Sequence, residues 1–266
     1  MHMILMNISQ KHSLAVAISD IRNMVRTTLI LFILIFTGST EAAEPAVLGQ
    51  FFGHSGISNK PAVYTGEMLK YYVDKPTLGE GLPATVEANF RVLNQSENNA
   101  VYAVLLSDGR RSQDWYAFLI RENKVWKLSA VRQLALTGMT TMVLHRLEQK
   151  SARTKEEEWQ YQNMRLTLKS DSDLKAYLKQ KLTKFKQVVA LYSTGHKDQA
   201  QTAAKQLYID SVNDRDGLLD LNIGGITDNA VGYLYIPPGK QPPAMSPNDF
   251  IYVEQIIDGW YIYKTT

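Results

Sequence analysis

Residues that could support catalysis or bind a metal are few in this sequence, and their spacing matches no established motif. Gly53-His54-Ser55-Gly56 resembles the start of a nucleophile elbow, but Ile57 occupies the position where the G-x-S-x-G pattern needs its last glycine. The aspartates near Gly217 have the acidity of a calcium loop but lack its closing glutamate; they are Asp214, Asp216 and Asp220. The sequence therefore predicts no catalytic motif, no metal site and no cofactor.

Tyrosines and a proline-rich segment fit a binding surface better. A tyrosine has an apolar ring and a polar tip, so a row of tyrosines suits either an exposed binding face or a sheet covered by another layer, and we favour the covered sheet. The segment Pro237–Pro247 is longer than a hairpin needs, and its prolines limit the entropy lost on ordering. It is interpreted either as a stiff connector or as a binding loop. The candidate binding residues are Tyr233, Tyr235, Tyr252, Glu254, Tyr261, Tyr263, Lys240 and Met245.

The segment Arg26–Ala42 has the residue order of a signal peptide. Basic residues precede the apolar run Leu29–Phe36, and small residues follow it. Because a membrane-spanning helix needs roughly 20 apolar residues, we expect cleavage after Ala42 rather than a retained anchor, with translation starting at Met24. These features predict an exported protein, periplasmic or secreted.

The composition of the chain limits the classes of partner that it could bind. The chain has 29 Lys+Arg against 26 Asp+Glu, a formal net charge of +3, which is too small to indicate nucleic acid or a polybasic membrane surface. It contains no cysteine, so disulfides, cysteine-ligated zinc and thiol catalysis are excluded. We expect an unknown envelope protein or a small ligand as partner, no nucleic acid, and no stable membrane span after cleavage.

Periodicity predicts strands at both ends of the exported chain and helices between them. Alternating residues and turn signals predict an antiparallel meander of strands at Thr85–Leu93, Ala100–Leu106, Asp114–Arg121 and Val125–Val131. A short helix is predicted at Thr65–Val73. Apolar residues spaced by three and four predict further helices at Thr140–Lys150, Lys155–Leu168, Asp171–Tyr192 and about Asp198–Tyr208. Strands return at Ala230–Ile236, Asp249–Ile256 and Gly259–Thr265.

Asp258-Gly259 is a strong signal for a two-residue hairpin turn, because glycine favours the left-handed backbone of that turn. Pairing around this turn predicts a core face and a tyrosine face. The core face has Trp260, Ile262, Val253 and Ile257; the tyrosine face has Tyr261, Tyr263, Tyr252 and Glu254.

Two predicted hairpins share a pattern of alternating aromatic and aliphatic residues followed by a tryptophan. One runs from Tyr116 to Trp126 and the other from Phe250 to Trp260. We interpret them as the closing hairpins of two three-strand meanders, in tandem sheet-bearing units or in one sheet. The order helix, helix, strand, strand, strand over residues 171–266, ending in the Trp260 hairpin, resembles the NTF2-like superfamily. That resemblance implies helices wrapped against a curved antiparallel sheet, and a pocket that serves binding in some members and catalysis in others.

The sequence as a whole predicts an α+β protein with antiparallel meander sheets packed on helices. The expected divisions are a signal peptide at 1–42, a sheet-rich unit at 43–135, a helical connector at 136–170 and a helix-helix-meander unit at 171–266. The expected function is that of an exported binding or envelope accessory protein without evident catalytic machinery. One alternative is an NTF2-like pocket enzyme of hydrolase or isomerase type, with Glu254 as its carboxylate. Another is an interaction module that uses the lysines of Lys175–Lys186.

Overall fold

Two antiparallel sheets packed against helices form the fold, which confirms the predicted α+β class. The computed structural model describes residues 45–266 apart from Leu136 and Thr227. The predicted signal peptide and Met24 lie outside the described residues. Pro45–Thr266 forms one compact unit. Within the described part, no helix combines the length and apolar character needed to cross a bilayer.

The first sheet is a meander in the order β1-β2-β3-β4. Its strands confirm the four predicted ones and are β1 (Glu87–Gln95), β2 (Asn99–Ser107), β3 (Ser112–Glu122) and β4 (Val125–Arg132). Short helices cover one face of this sheet; they are α1 (Ala46–Phe52), α2 (Lys60–Val63) and α3 (Gly66–Tyr71). Helix α3 confirms the predicted short helix. Phe52, Tyr64 and Met68 pack there against Tyr102, Leu119 and Leu128 of the sheet.

The middle of the chain is helical, as predicted, with one correction. Its helices are α4 (Thr137–Glu148), α5 (Lys155–Thr167), α6 (Asp171–Gln180), α7 (Leu182–Ser193) and α8 (Lys197–Lys205). The prediction of one continuous helix over Asp171–Tyr192 is wrong, because Lys181 leaves helical geometry at φ −106° and ψ 12°. Leu178 before the break and Phe185 after it are both fully buried. The stripe of buried residues therefore continues across the break, and periodicity could not reveal it.

The second sheet has the order β5-β6-β7-β9-β8. Its strands are β5 (Ser211–Arg215), β6 (Leu218–Ile226), β7 (Asn229–Tyr235), β8 (Phe250–Ile257) and β9 (Trp260–Thr265). The prediction of a three-strand meander is wrong in two ways. Two further strands precede it, joined by Asp216-Gly217 with φ of 54° and 78°, the left-handed turn that Asp-Gly favours. In addition, β9 lies between β7 and β8.

The predicted hairpin at Asp258-Gly259 is confirmed, and its predicted faces are correct for β9 and Ile257 but wrong for Tyr252, Val253 and Glu254. A β-bulge lies between Gln255 and Ile257, so Glu254 pairs with Ile262 and Val253 pairs with Tyr263. Since side chains alternate along a strand, one extra residue moves every preceding side chain to the opposite face. Tyr252 and Glu254 consequently share a face with Ile262, and Val253 shares the other with Tyr263.

The two sheets share one hydrophobic core. Tyr116 and Phe118 of the first sheet belong to the same buried cluster as Tyr233 and Ile262 of the second. Helices α6, α7 and α8 contribute the rest of this cluster through Leu174, Leu178, Phe185, Val188, Ala200 and Ala204. The first sheet is thus covered on both faces, by the short helices on one side and by this shared core on the other.

Candidate functional site

A cleft of about 410 Å³ lies where the turn between β2 and β3 meets the junction of α5 and α6. Its apolar wall is formed by leucines and one valine from several segments; they are Leu82, Val86, Leu106, Leu134 and Leu168. Its polar wall carries charged residues of both signs; they are Asp108, Arg111, Asp114, Lys169 and Lys264. One wall is therefore suited to an apolar group and the other to a charged one.

A buried ionic cluster forms the floor of the cleft. The Lys264 Nζ of β9 lies 2.7 Å from Asp171 Oδ1 and 3.5 Å from Asp114 Oδ2. The Asp171 backbone N–H donates to Asp114 Oδ2 at 2.9 Å. The Tyr116 hydroxyl lies 2.9 Å from both Asp171 oxygens. Lys264 is only 4% exposed and Asp171 only 5%, so β3, β9 and α6 are joined by charges that are almost removed from water.

The protonation of this cluster follows from its burial. Burial raises the pKa of Asp171, and the neighbouring Asp114 charge adds to that effect, while Lys264 and Tyr116 oppose it. Burial and the charge of Asp171 also raise the pKa of Tyr116, which therefore remains a neutral hydroxyl donor. Two carboxylates share one buried ammonium, so each depends on Lys264 for its charge balance.

Glu254, a candidate binding residue and the carboxylate of the alternative enzyme hypothesis, joins the two sheets. Its oxygens accept hydrogen bonds from Arg91 of β1 at 3.0 and 2.7 Å, from Lys175 at 3.1 and 3.2 Å and from the Tyr252 hydroxyl at 2.6 Å. Burial opposes its ionisation, but the hydrogen bonds of Arg91 and Tyr252 outweigh that effect and lower the pKa of Glu254. Glu254 is therefore an ionised acceptor that holds β1, β8 and α6 together.

The five candidate tyrosines do not form one face. Tyr233 and Tyr252 are fully buried in the shared core, and Tyr235 packs at its margin. Tyr261 and Tyr263 lie on the opposite face of the second sheet. The predicted common tyrosine face is wrong. Tyr233 pairs with Ile262, so β7 places Tyr233 and Tyr235 on the face opposite Tyr261 and Tyr263, and the β8 bulge moves Tyr252 to the side of Tyr233. The expected burial is confirmed for Tyr233, Tyr252 and Tyr263.

Hydrogen bonds fix these buried hydroxyls. Tyr233 donates to the Leu174 carbonyl at 2.7 Å, and Tyr263 donates to Asp220 Oδ1 at 2.7 Å. Arg215 lies 3.1 Å from the other oxygen of Asp220. The buried tyrosines thus serve packing and cross-element hydrogen bonds.

The proline-rich segment is held against the body of the protein. Arg132 of β4 donates from Nε to the Pro247 carbonyl at 2.7 Å, and its other nitrogens bind Glu67 of α3. Met245 packs against hydrophobic clusters on both faces of the second sheet. Lys240 Nζ lies 3.5 Å from the Asp216 carbonyl. Neither Lys240 nor Met245 lines the cleft, and the segment has the contacts of a fixed connector.

The aspartates near Gly217 belong to the β5–β6 hairpin. Asp214 Oδ1 accepts a hydrogen bond from the Gly217 backbone at 3.0 Å, while Asp220 is held by Tyr263 and Arg215. Across residues 45–266, leaving aside the two positions not described, no group of three metal-binding side chains converges.

Sequence reasoning missed the residues that build the cleft floor, although one signal was present. Lys264 follows Trp260 and Ile262 at alternating positions of β9, so a lysine stands on the core face of that strand. Asp114 precedes Tyr116 on β3 in the same way. A charged residue on an otherwise buried face is uncommon unless a partner neutralises it. The partner, Asp171, had no such signal because a first-turn aspartate is ordinary in helices.

The chain matches no protein-family model, no curated protein and no solved structure. Its function therefore has to be inferred from the cleft and the charges that line it.

Proposed function

We propose that this protein is an exported binding protein that holds a small ligand in the cleft above Lys264 and does not transform it. This proposal rests on the volume of the cleft together with the chemical character of its two walls. A cavity of about 410 Å³ falls within the roughly 300–1,000 Å³ typical of small-molecule sites. It joins an apolar wall to a few convergent charged groups, which is the usual composition of such sites.

The rigidity of the floor also supports binding. Asp114 and Lys264 are held by Asp171, which is held in turn by Tyr116, so the charged side chains are ordered before any ligand arrives. Pre-ordered side chains reduce the conformational entropy lost on association. A small ligand can therefore bind here without reorganising the protein around it.

The location and family of the protein belong to the same proposal. The signal-peptide pattern of Arg26–Ala42 supports export, with binding in the periplasm or outside the cell. A relation of residues 171–266 to the NTF2-like superfamily would be compatible with ligand binding, because that resemblance implies a pocket rather than a reaction.

A hydrolase or isomerase activity based on Glu254 has less support. A general base or acid works best with a pKa near the working pH, which for a carboxyl requires a raised value. The pKa of Glu254 is lowered instead, and Arg91, Lys175 and Tyr252 already occupy its oxygens. Glu254 also does not line the cleft.

Binding in the cleft can be tested with a fragment panel and two matched tryptophan variants. Val86, which directly precedes β1, lines the cleft, whereas Val92 of β1 has 47% of its surface exposed and does not line the cleft. The purified protein is screened against small polar and amphiphilic fragments by ligand-observed NMR. We expect Val86→Trp to fill the cleft and abolish the signals of bound fragments, and Val92→Trp to leave them unchanged. A panel without any binder, or binders that ignore both substitutions, would refute the proposal.

A further inference from the structure

The polar wall of the cleft has unequal numbers of free donors and acceptors, and from this imbalance we propose the chemical class of the ligand. It is an organic anion with an apolar body, whose acidic group binds Arg111. This inference rests on the proposed function, since it assumes that the cleft is the binding site.

One oxygen of each acidic residue in the cleft is already used by the protein. Asp108 Oδ1 accepts hydrogen bonds from the backbone N–H groups of Arg110 at 2.8 Å and Arg111 at 2.7 Å, which close the turn between β2 and β3. Asp114 accepts from the Asp171 backbone and lies beside Lys264. A cationic ligand would therefore have to compete with contacts that hold the turn and the floor together.

The basic residues at the rim are largely unused. The Arg111 guanidinium forms no hydrogen bond or ion pair with any described residue. The backbone hydrogen bonds of Arg111 and Arg110 lower the pKa of Asp108, and the Arg111 charge adds to that effect from a longer distance. Lys169 reaches only Asp173, at 4.0 Å with both side chains well exposed. A guanidinium has five N–H donors and no acceptor, and an ammonium has three donors. The open hydrogen-bonding capacity of the charged wall is thus mainly that of donors, beside one open oxygen on each of Asp108 and Asp114. Carboxylates are the ligands that an arginine fork binds in bidentate fashion.

The opposite wall requires an apolar body in the same ligand. Leu82, Val86 and Leu106 line it from the first-sheet side, and Leu134 and Leu168 line it from the helical side. A small ion such as acetate, with a single methyl group, would leave most of these side chains in contact with water. Burying the apolar part of a ligand against them adds affinity in proportion to the area removed from water.

Three eight-carbon probes separate charge from apolar surface: octanoate, octylamine and octanol. Isothermal titration calorimetry on the full protein should show octanoate binding about tenfold or more tightly than octylamine, the size expected for one charge-assisted hydrogen-bonded contact. Octanol should bind between the two. Added salt should weaken octanoate binding and leave octanol binding unchanged, because only the charged contact is screened.

Neighbouring arginines provide a matched pair of variants. Arg111 lines the cleft, while Arg110 is exposed on the same turn and does not line it. Arg111→Gln should weaken octanoate binding about tenfold, whereas Arg110→Gln should change it less than about twofold, although both remove one positive charge from the same loop. Lys169→Gln should give a smaller loss than Arg111→Gln, because a lysine cannot form the bidentate contact.

Several results would overturn the anionic assignment. These are octylamine binding as tightly as octanoate, equal effects of Arg111→Gln and Arg110→Gln, or no binding of octanoate at all. If octanoate fails while other fragments bind and are displaced by Val86→Trp, the ligand class is wrong and the binding function stands. If Val86→Trp affects no ligand, the binding function itself is wrong.

Discussion

The hairpins β3–β4 and β8–β9 have similar sequences and both end their sheets, but the second strand is the edge in one and the first strand is the edge in the other. Trp126 lies on β4, the edge strand of the first sheet, whereas Trp260 lies on β9, between β7 and β8. Trp126 is partly buried with the Arg121 guanidinium 5.6 Å from its ring. Trp260 is 1% exposed and packs against Phe185 at 5.7 Å and Tyr235 at 5.2 Å. The shared pattern identifies a hairpin but does not determine which of its two strands lies at the edge of the sheet.

The connections explain the difference. Short turns join the strands of the first sheet, so each strand pairs with its sequence neighbour. The segment between Tyr235 and Phe250 is long enough to carry the chain past one strand position, and Arg132 holds it there through Pro247. Strand β9 then returns beside β7. Loop length, rather than the pattern of the strands, decided the strand order.

These two hairpins also contact each other. The ring of Tyr116 from β3 stacks on that of Tyr252 from β8, with centroids 4.8 Å apart and planes 18° apart. Asp114 and Lys264 meet 3.5 Å apart beside this stack. The two hairpins therefore raise two questions: how much each tryptophan stabilises the fold, and how much the fold depends on the charges of Asp114, Asp171 and Lys264 where the hairpins meet.

Replacing the two tryptophans gives the largest expected contrast. Trp260→Ala should lower the free energy of unfolding by about 4 kcal/mol, because it removes a fully buried ring from the shared core. Trp126→Ala should cost about 1 kcal/mol, because the edge position leaves the ring partly in water. Urea denaturation followed by circular dichroism measures both losses. Equal losses would contradict the different burial of the two residues.

Removing the buried charge of Lys264 should give the next largest loss of stability. Lys264→Met should destabilise the protein by about 3 kcal/mol, because Asp171 and Asp114 lose their shared ammonium inside the protein. Adding Asp171→Asn should recover part of that loss in the double variant, since one uncompensated charge is removed. The same urea titrations, arranged as a double-mutant cycle, measure the recovery. Strictly additive losses would show that the two residues are not coupled.

Replacing Glu254 should cause a smaller loss of stability, and that loss should depend on pH. Glu254→Gln should cost about 1 kcal/mol at pH 7, because Arg91 and Lys175 lose a partly exposed ionised partner. The folded pKa of Glu254 lies below its ordinary value of 4.5, so its stabilising contribution is present above about pH 4.5 and is lost as the pH falls through the lowered pKa. Urea titrations between pH 3 and 7 should show wild type and variant converging in acid. A constant difference across that range would exclude this role.

Asp171 should show the opposite dependence in the same titrations. Its folded pKa lies above the ordinary 3.8, so its contribution is present below that pH and is lost as the pH rises through the raised pKa. The stability of wild type relative to Asp171→Asn should therefore fall as the pH rises. Glu254 and Asp171 would then be distinguished by the sign with which their contributions to stability depend on pH.

Local features were predictable from the sequence because their causes lie within a few residues. The strands of the first sheet follow from alternation between turns, and the start of α6 follows from the Ser170 hydroxyl, which accepts the Asp173 N–H. Asp258-Gly259 predicted its turn correctly. Asp216-Gly217 is the same dipeptide, and applying the same rule to it would have located β5 and β6.

The candidate site was not predictable in the same way. Glu254 and the tyrosines were chosen for their residue types, but a single bulged residue in β8 reversed the face on which Tyr252 and Glu254 lie. The cleft floor joins Asp114, Asp171 and Lys264, which are far apart in the chain. No local rule brings those three side chains together.

The sequence by itself determined the strands of the first sheet, the short helix α3, the turn at Asp258-Gly259 and the absence of cysteine chemistry, because these depend on backbone preferences and composition. Tertiary structure alone decided the order of β8 and β9, the break at Lys181, the faces of β8 and the burial of Lys264. Each of these depends on free energy gained between distant segments, where packing and charge neutralisation outweigh the local preferences that a sequence pattern records.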